Sequence, residues 1–277
     1  MTKKAMKAPL TREEQQMLRE HFNPEGSPIR RQQLRMLDML VAIDEICRRH
    51  DIQYWLSSGT LIGAIRHDGF IPWDDDLDIE MMRGDYLRLL KVLSKELPET
   101  MAVQTIDTDP GYFYCYAKVR DLRSFLNETN DYDRACKYRG VFIDIFPLEE
   151  QRLTLHKWSE TAHGHVYKMW RTSQDDKKQL RRIRQLTRFN LNIVHPILRV
   201  LNRLSGAHIV TSGLGIPFHN RRYKTDIFPL TTHIFEGHQL PVPHDADHML
   251  RQIYGDYMQL PDIDEITPHA SEMRIDD

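Results

Sequence analysis

The chain has 277 residues, 40% of them hydrophobic and 28% charged, with a formal net charge of −2. That length supports a full core without disulfide or metal staples, and the near-neutral balance excludes any global argument for nucleic-acid or membrane binding. Cys47, Cys115 and Cys136 lie far apart with no CxxC pair, which points to free thiols in a reducing compartment and away from a disulfide framework or zinc site.

The opening MTKKAMKAPLTREEQQ is basic, but no apolar run of about 7–15 residues follows it, so it does not read as a signal peptide. No stretch approaches the ~18 apolar residues of a membrane span. A cytoplasmic protein is expected, with contact at the inner face of a membrane left open. Residues 30–50 carry apolar positions three or four apart and predict a helix. IQYWLS (52–57) reads as a strand, broken by Ser58-Gly59, and TLIGAIR (60–66) as short helical turns. HDGFIPW (67–73) is a loop, LDIEMM (77–82) a strand, and DYLRLLKVLSKEL (85–97) an amphipathic helix ending before Pro98. Strands are expected at 101–107, 113–121 and 141–148, then a helical, basic region to about residue 205 and a mixed tail from 233 to 277. The order predicts an α+β fold: a mixed sheet with helices over 1–150, then a mainly helical part, 151–277, or one continuous domain.

Asp74, Asp75, Asp76 and Asp78 crowd the stretch before and into the 77–82 strand. Strand side chains alternate, so Asp76, Asp78 and Glu80 face one way and Leu77, Ile79 and Met81 the other, into a core. Carboxylates two residues apart are rooted about 7 Å apart, and together they repel without a counter-ion. A hard cation such as Mg²⁺, which shares oxygen ligands with phosphates, resolves that repulsion. Asp144, the one charge in VFIDIFPL, is a candidate third acid, because a lone acid in a buried strand is costly unless paired. Taken singly, the acids also fit a helix cap or a solvated strand edge. The preceding strand–Ser58-Gly59-Thr60–helix start favours phosphate, since backbone N–H groups there can meet an anion.

These residues carry a family resemblance. YWLSSGTLIGAIRHDGFIPWDDDLDIEMMRGDY (54–86) resembles the signature of the LicD family, which includes bacterial phosphocholine transferases and is related to the fukutin group. GVFIDIFPLE (140–149) and LPVPHDADHMLRQIYGDYMQLP (240–261) resemble two further blocks of that family. The resemblance implies a nucleotidyltransferase-like fold, with Gly59 and Thr60 at the phosphate turn. It implies Asp76 and Asp78 as the metal pair and Asp144 as third ligand, or base for the acceptor hydroxyl. It also implies Mg²⁺ or Mn²⁺ and a CDP-alcohol donor, above all CDP-choline. The acceptor is a sugar of a cell-surface glycan or its lipid-linked precursor, such as lipopolysaccharide or teichoic acid, and CMP is released. A nucleotidyltransferase using NTP and a non-catalytic glycan- or metal-binding scaffold are the alternatives.

Around this centre, Arg66 suits bidentate phosphate contact, with His67 beside it. Trp73 either packs the loop or stacks on a base or choline. Lys118 and Arg120 share a strand face able to meet a diphosphate, and Tyr112, Tyr114 and Tyr116 continue that face. The region 171–204 holds nine Lys or Arg against Asp175 and Asp176, with Leu186, Phe189, Ile193, Ile197, Val200 and Leu204 at helical spacing and Pro196 as a breaker. Two readings stay open: a basic amphipathic segment lying on an anionic membrane or acceptor, or a helix packed on the domain with a solvated basic face. Tyr254 to Tyr257 are expected in the site wall. His269 lacks the basic residue that the family resemblance leads one to expect before it, and the histidines of the tail fit no zinc spacing.

Overall fold

The structure is a computed structural model and describes residues 10–129, 131–173, 177–262 and 270–275. His269, Asp175 and Asp176 lie outside the described residues. Helix α1 (Arg12–Phe22) opens on a capping box: Thr11 Oγ1 accepts from Glu14 N, and Glu14 Oε2 accepts from Thr11 N. Helix α2 (Pro28–Arg49) starts from a Ser27 cap with proline in its first turn, and buries Met36, Leu40 and Ile43. There follow β1 (Trp55–Leu56), α3 (Ser58–His67), β2 (Asp78–Met82), α4 (Arg83–Glu96), β3 (Met101–Gln104), β4 (Ala117–Asp121), β5 (Ser124–Glu128) and β6 (Phe142–Gln151).

Beyond β6 come α5 (Leu153–Thr172), α6 (Lys177–Phe189), a π-helical turn (Asn190–Val194), α7 (His195–Leu204) and β7 (Ile209–Ser212). The helix changes register immediately before Pro196, where the missing N–H breaks the α-helical ladder. The chain continues with α8 (Lys224–Ile227), β8 (Thr231–Phe235), β9 (His238–Val242), α9 (Ala246–Tyr254) and β10 (Ala270–Ile275). Glu236 and Gly237, both at positive φ, close the β8–β9 hairpin.

The main sheet is mixed and six-stranded, in the order β1-β2-β6-β4-β3, with β7 added on β6. Strands β2 and β6 are parallel; the other pairs in this sheet are antiparallel. The α+β class read from the sequence is the observed one. Strand β6 runs through residue 150. Later residues, among them Phe235, Leu240, Met249 and Leu250, join the core built by α2, α3 and α4. Among the described residues, no helix is long and apolar enough to cross a membrane.

Candidate active site

Strand pairing assembles the site. Asp78 of β2 stands opposite Asp144 of β6, and Asp144 stands opposite Lys118 of β4. Their chain neighbours Leu77, Ile79, Ile143, Ile145, Ala117 and Val119 are fully buried in the core. Period-two alternation therefore turns the charged row to the other face of the sheet. Lys118 Nζ lies 3.1 Å from Asp144 Oδ1 and 3.5 Å from Glu128 Oε1, over the Phe142 ring at 3.4 Å from its centroid.

The start of α3 meets this row. Ser58, at φ 50°, bonds its hydroxyl to the Asp78 carboxylate. Thr60 Oγ1 accepts the Asp78 backbone N–H at 2.9 Å. Gly59 leaves room for Asp74, whose Oδ2 would lie 2.7 Å from a Cβ at that position. The acidic loop is fixed from below by two buried glutamines of α2. Gln32 Nε2 donates to the Asp75 carbonyl at 2.6 Å, and Gln33 Nε2 to the Asp74 carbonyl at 2.9 Å. These bonds satisfy carbonyls that a buried loop would otherwise strand.

Burial, then the neighbouring acids, drives the carboxyls upward. Asp74 and Asp78 are pushed well above the usual carboxylate range by desolvation, with Asp76 the next cause for each. Asp144 is pushed up to about 6 by burial, held there against the opposing pull of Lys118. Asp74 Oδ2 is buried without a hydrogen-bond partner. Lys118 is the cation acting on both Asp78 and Asp144, and the oxygen chemistry of the set is that of ligands to a hard divalent cation. Among the described residues no group of three or more His, Cys, Asp or Glu side chains is placed to hold a metal ion by itself. The acids line an open wall, which suits an ion shared with substrate phosphate.

Two chambers flank that wall and share Asp76, Tyr116, Asp144 and Phe218. One, of about 290 Å³, is ringed by Tyr114, Tyr116, Tyr132, Phe142, Tyr167 and Phe218, with Lys118 and Glu128. The other, of about 190 Å³, presents Ser58, Asp78, Ser212, Asn220, Arg222 and Tyr254.

Residues 51–192 match the family model described as LicD/FKTN/FKRP, nucleotidyltransferase domain. The lipopolysaccharide cholinephosphotransferase LicD of Haemophilus influenzae is 30% identical over 261 residues, spanning 87% of this chain and 95% of that protein. The chain belongs to the LicD family. A shorter match links it to ribitol 5-phosphate transferase FKRP of Homo sapiens and of Mus musculus, each 47% identical over 34 residues, 12% of this chain and 7% of that protein.

Within the LicD signature the structure separates residues that sequence reasoning had grouped. Asp76, Asp78, Asp144 and Lys118 come together. Gly59 and Thr60 line neither chamber; they shape and clamp the acidic loop. Arg66 and His67 sit at the other end of α3, about 15 Å along a ten-residue helix, and Trp73, next to Asp74 in the chain, turns its ring toward His67. Buried Arg66 donates from Nη1 to the Tyr257 carbonyl at 2.6 Å and from Nε to His67 Nε2 at 2.9 Å. Burial lowers it to about 10, and lowers His67 to about 3. His67 Nδ1, left with the proton, faces Gln15 Oε1 at 3.2 Å. Trp73 packs edge-on against Phe22 and His67. All three are occupied in holding α1, α3 and the C-terminal segment together. Arg120 is likewise spoken for: its guanidinium bonds Gln104, the Gly140 carbonyl and Glu128.

The sequence did not mark Glu128, Phe218, Asn220 or Arg222. Arg222 forms a buried ion pair with Glu80, whose carboxylate also accepts from Trp55 Nε1. Glu80 carried the signal, as an acid on the same strand face as Asp78. Its partner, 142 residues away, carried none.

Proposed function

We propose that this LicD-family chain moves a phospho-alcohol, phosphocholine foremost, from a CDP-alcohol to a sugar hydroxyl of a cell-surface glycan or lipid-linked precursor, releasing CMP. The carrying observation is the row Asp78–Asp144–Lys118, with Asp76 beside it: Asp76 and Asp144 line both chambers, Asp78 one of them and Lys118 the other. A group-transfer enzyme needs its reacting phosphorus between two substrates, and Asp76 and Asp144 stand on the common boundary. Asp76, Asp78 and Asp144 are the residues to hold Mg²⁺ or Mn²⁺. Bound there, the ion would neutralise the diphosphate and stabilise the leaving oxygen.

The chain's own groups do the remaining work. Ser58 and Thr60 hold the Asp78 carboxylate and backbone in place. Lys118 fixes Asp144 and adds positive charge where phosphate arrives. The aromatic chamber supports choline as the alcohol, because the rings of Tyr114, Tyr116, Tyr132, Tyr167 and Phe218 suit a quaternary ammonium through cation–π attraction, while Lys118 takes up Glu128, Asp144 and the Phe142 face. The cholinephosphotransferase activity of the Haemophilus relative points the same way.

The test is phosphorus NMR of the protein with CDP-choline and Mg²⁺, with and without a glycan acceptor extract, beside an EDTA arm and an Asp76→Ala/Asp78→Ala variant. Metal-dependent CMP from the wild type alone is the expected result. Pyrophosphate released from an NTP, with CDP-choline, CDP-ribitol and CDP-glycerol all inert in the presence of acceptor, overturns the reading.

A further inference from the structure

Helices α6 and α7 are built inside out. Their inward face carries Thr187, Asn190, His195 and Asn202, all buried, with Ile183 and Leu198 as the apolar members. Their outward face carries Phe189 (53% exposed), Ile193 (49%), Ile197 (56%), Val200 (53%) and Leu204 (80%). The outward spacing of four, four, three and four keeps these five on one stripe. A helix on a soluble protein ordinarily does the reverse.

The stripe cannot simply roll inward, because polar bonds fix the helix's rotation. Asn202 Oδ1 accepts the Arg152 backbone N–H at 2.9 Å, and Asn190 Nδ2 donates to the Ala162 carbonyl at 3.3 Å. Arg199 grips Glu149 through two bonds of 2.6 and 2.9 Å. The charge carried by the segment itself has one sign, although Arg188 pairs with exposed Asp107 from outside it. Residues 177–204 contain eight Lys or Arg and no Asp or Glu. Lys177, Lys178, Arg181, Arg182, Arg188 and Arg203 are exposed.

We propose that this stripe is a docking surface for an anionic lipid bilayer, with the α6–α7 axis lying in the plane of the interface. An apolar stripe about 22 Å long, at 1.5 Å rise per residue, bordered by cations, matches an interfacial helix: side chains enter the acyl boundary while the cations meet lipid phosphates. Charge complementarity selects this occupant. A second copy of the chain docked stripe to stripe would set two like-charged rims against each other. The inference stands independently of the reaction assigned to the acids.

The test is flotation of the full-length protein with vesicles of phosphatidylcholine alone and of phosphatidylcholine with phosphatidylglycerol, at low and high salt. Two variants accompany it, Ile197→Asp/Leu204→Asp and Arg181→Gln/Arg182→Gln, each checked by circular dichroism for retained fold. Binding to the anionic vesicles, weakened at least about tenfold by the aspartates and reduced by salt or by the glutamines, is the expected result. No binding to anionic vesicles, equal binding to neutral ones, or binding indifferent to the aspartates overturns the proposal. A solution dimer that the aspartates dissolve, without lipid binding, also overturns it and assigns the stripe to a second copy.

Discussion

The two ends of helix α3 lie within one signature yet work in opposite ways. At the N-terminal end, Ser58 and Thr60 face a cluster of carboxyls that burial and mutual repulsion push upward. At the C-terminal end, Arg66 and His67 are buried bases pulled downward and satisfied by the Tyr257 carbonyl and Gln15. The first end gathers several acids around one lysine, so that their carboxyls are pushed upward, a pattern that marks candidate functional sites. The second has its polar groups paired, which is a property of a structural joint. Closeness in a motif therefore did not mean closeness in the site, because a ten-residue helix separates its ends by about 15 Å.

The sharpest way to break this comparison is to neutralise each end. Asp78→Asn should cost at least about 10²–10³-fold in kcat while leaving Tm unchanged or raised, since it removes a buried repulsion. A parallel loss of Tm and activity would contradict the assignment. Arg66→Ala should do the converse. It strands the Tyr257 carbonyl and the His67 ring in the interior, at a cost of about 2–4 kcal/mol, with kcat of the folded fraction within about threefold of wild type. Urea unfolding beside steady-state kinetics reads both.

The two ends should also titrate against each other. Asp144, raised to about 6, binds its proton more tightly folded than unfolded. Its contribution to stability is complete below the unfolded value near 3.9 and is lost as pH rises through about 6. His67, lowered to about 3, is the opposite: its contribution is complete above about 6.5 and is lost as pH falls. Metal binding relieves the carboxylate penalty alone. Mg²⁺ should therefore raise Tm more at pH 8 than at pH 5.5, and His67→Asn should flatten only the acid limb of the stability profile. A magnesium shift that is the same at both pH values would count against the acids as ligands.

Smaller effects sharpen specificity. Tyr116→Leu, in the wall between the chambers, should raise KM for CDP-choline about three- to tenfold through the lost cation–π contact, and leave CDP-ribitol nearly unaffected. Equal losses for both donors would remove the aromatic chamber from alcohol selection. Trp73→Phe should change kcat less than about twofold, because the ring's contacts are with Phe22 and His67 and a phenyl ring keeps them in part.

What the sequence made legible follows from what local rules can see. Alternation along 77–82 and 141–148 separated Asp78 and Asp144 from their apolar neighbours, and the strands pair so that these two stand side by side. Alternation also aligned Lys118 with Arg120, but only tertiary structure shows that Glu128, from an unanticipated strand, engages the Arg120 guanidinium. Helix α1 went unread although Thr11 and Glu14 spell a capping box, because its residues bury nothing and leave no apolar stripe. In 186–204 the periodicity was visible, but periodicity gives a face without saying whether it points inward. Buried Asn190, His195 and Asn202 decided that, and no local pattern distinguishes a polar residue that anchors from one that is solvated.

The most direct test of the central claim is Mn²⁺ titration followed by electron paramagnetic resonance, on wild type, Asp78→Asn, Asp144→Asn and Trp73→Phe. The account expects loss of the free Mn²⁺ signal on binding to wild type and Trp73→Phe, with affinity falling sharply in both acid variants. Undiminished binding in Asp78→Asn and Asp144→Asn would contradict it.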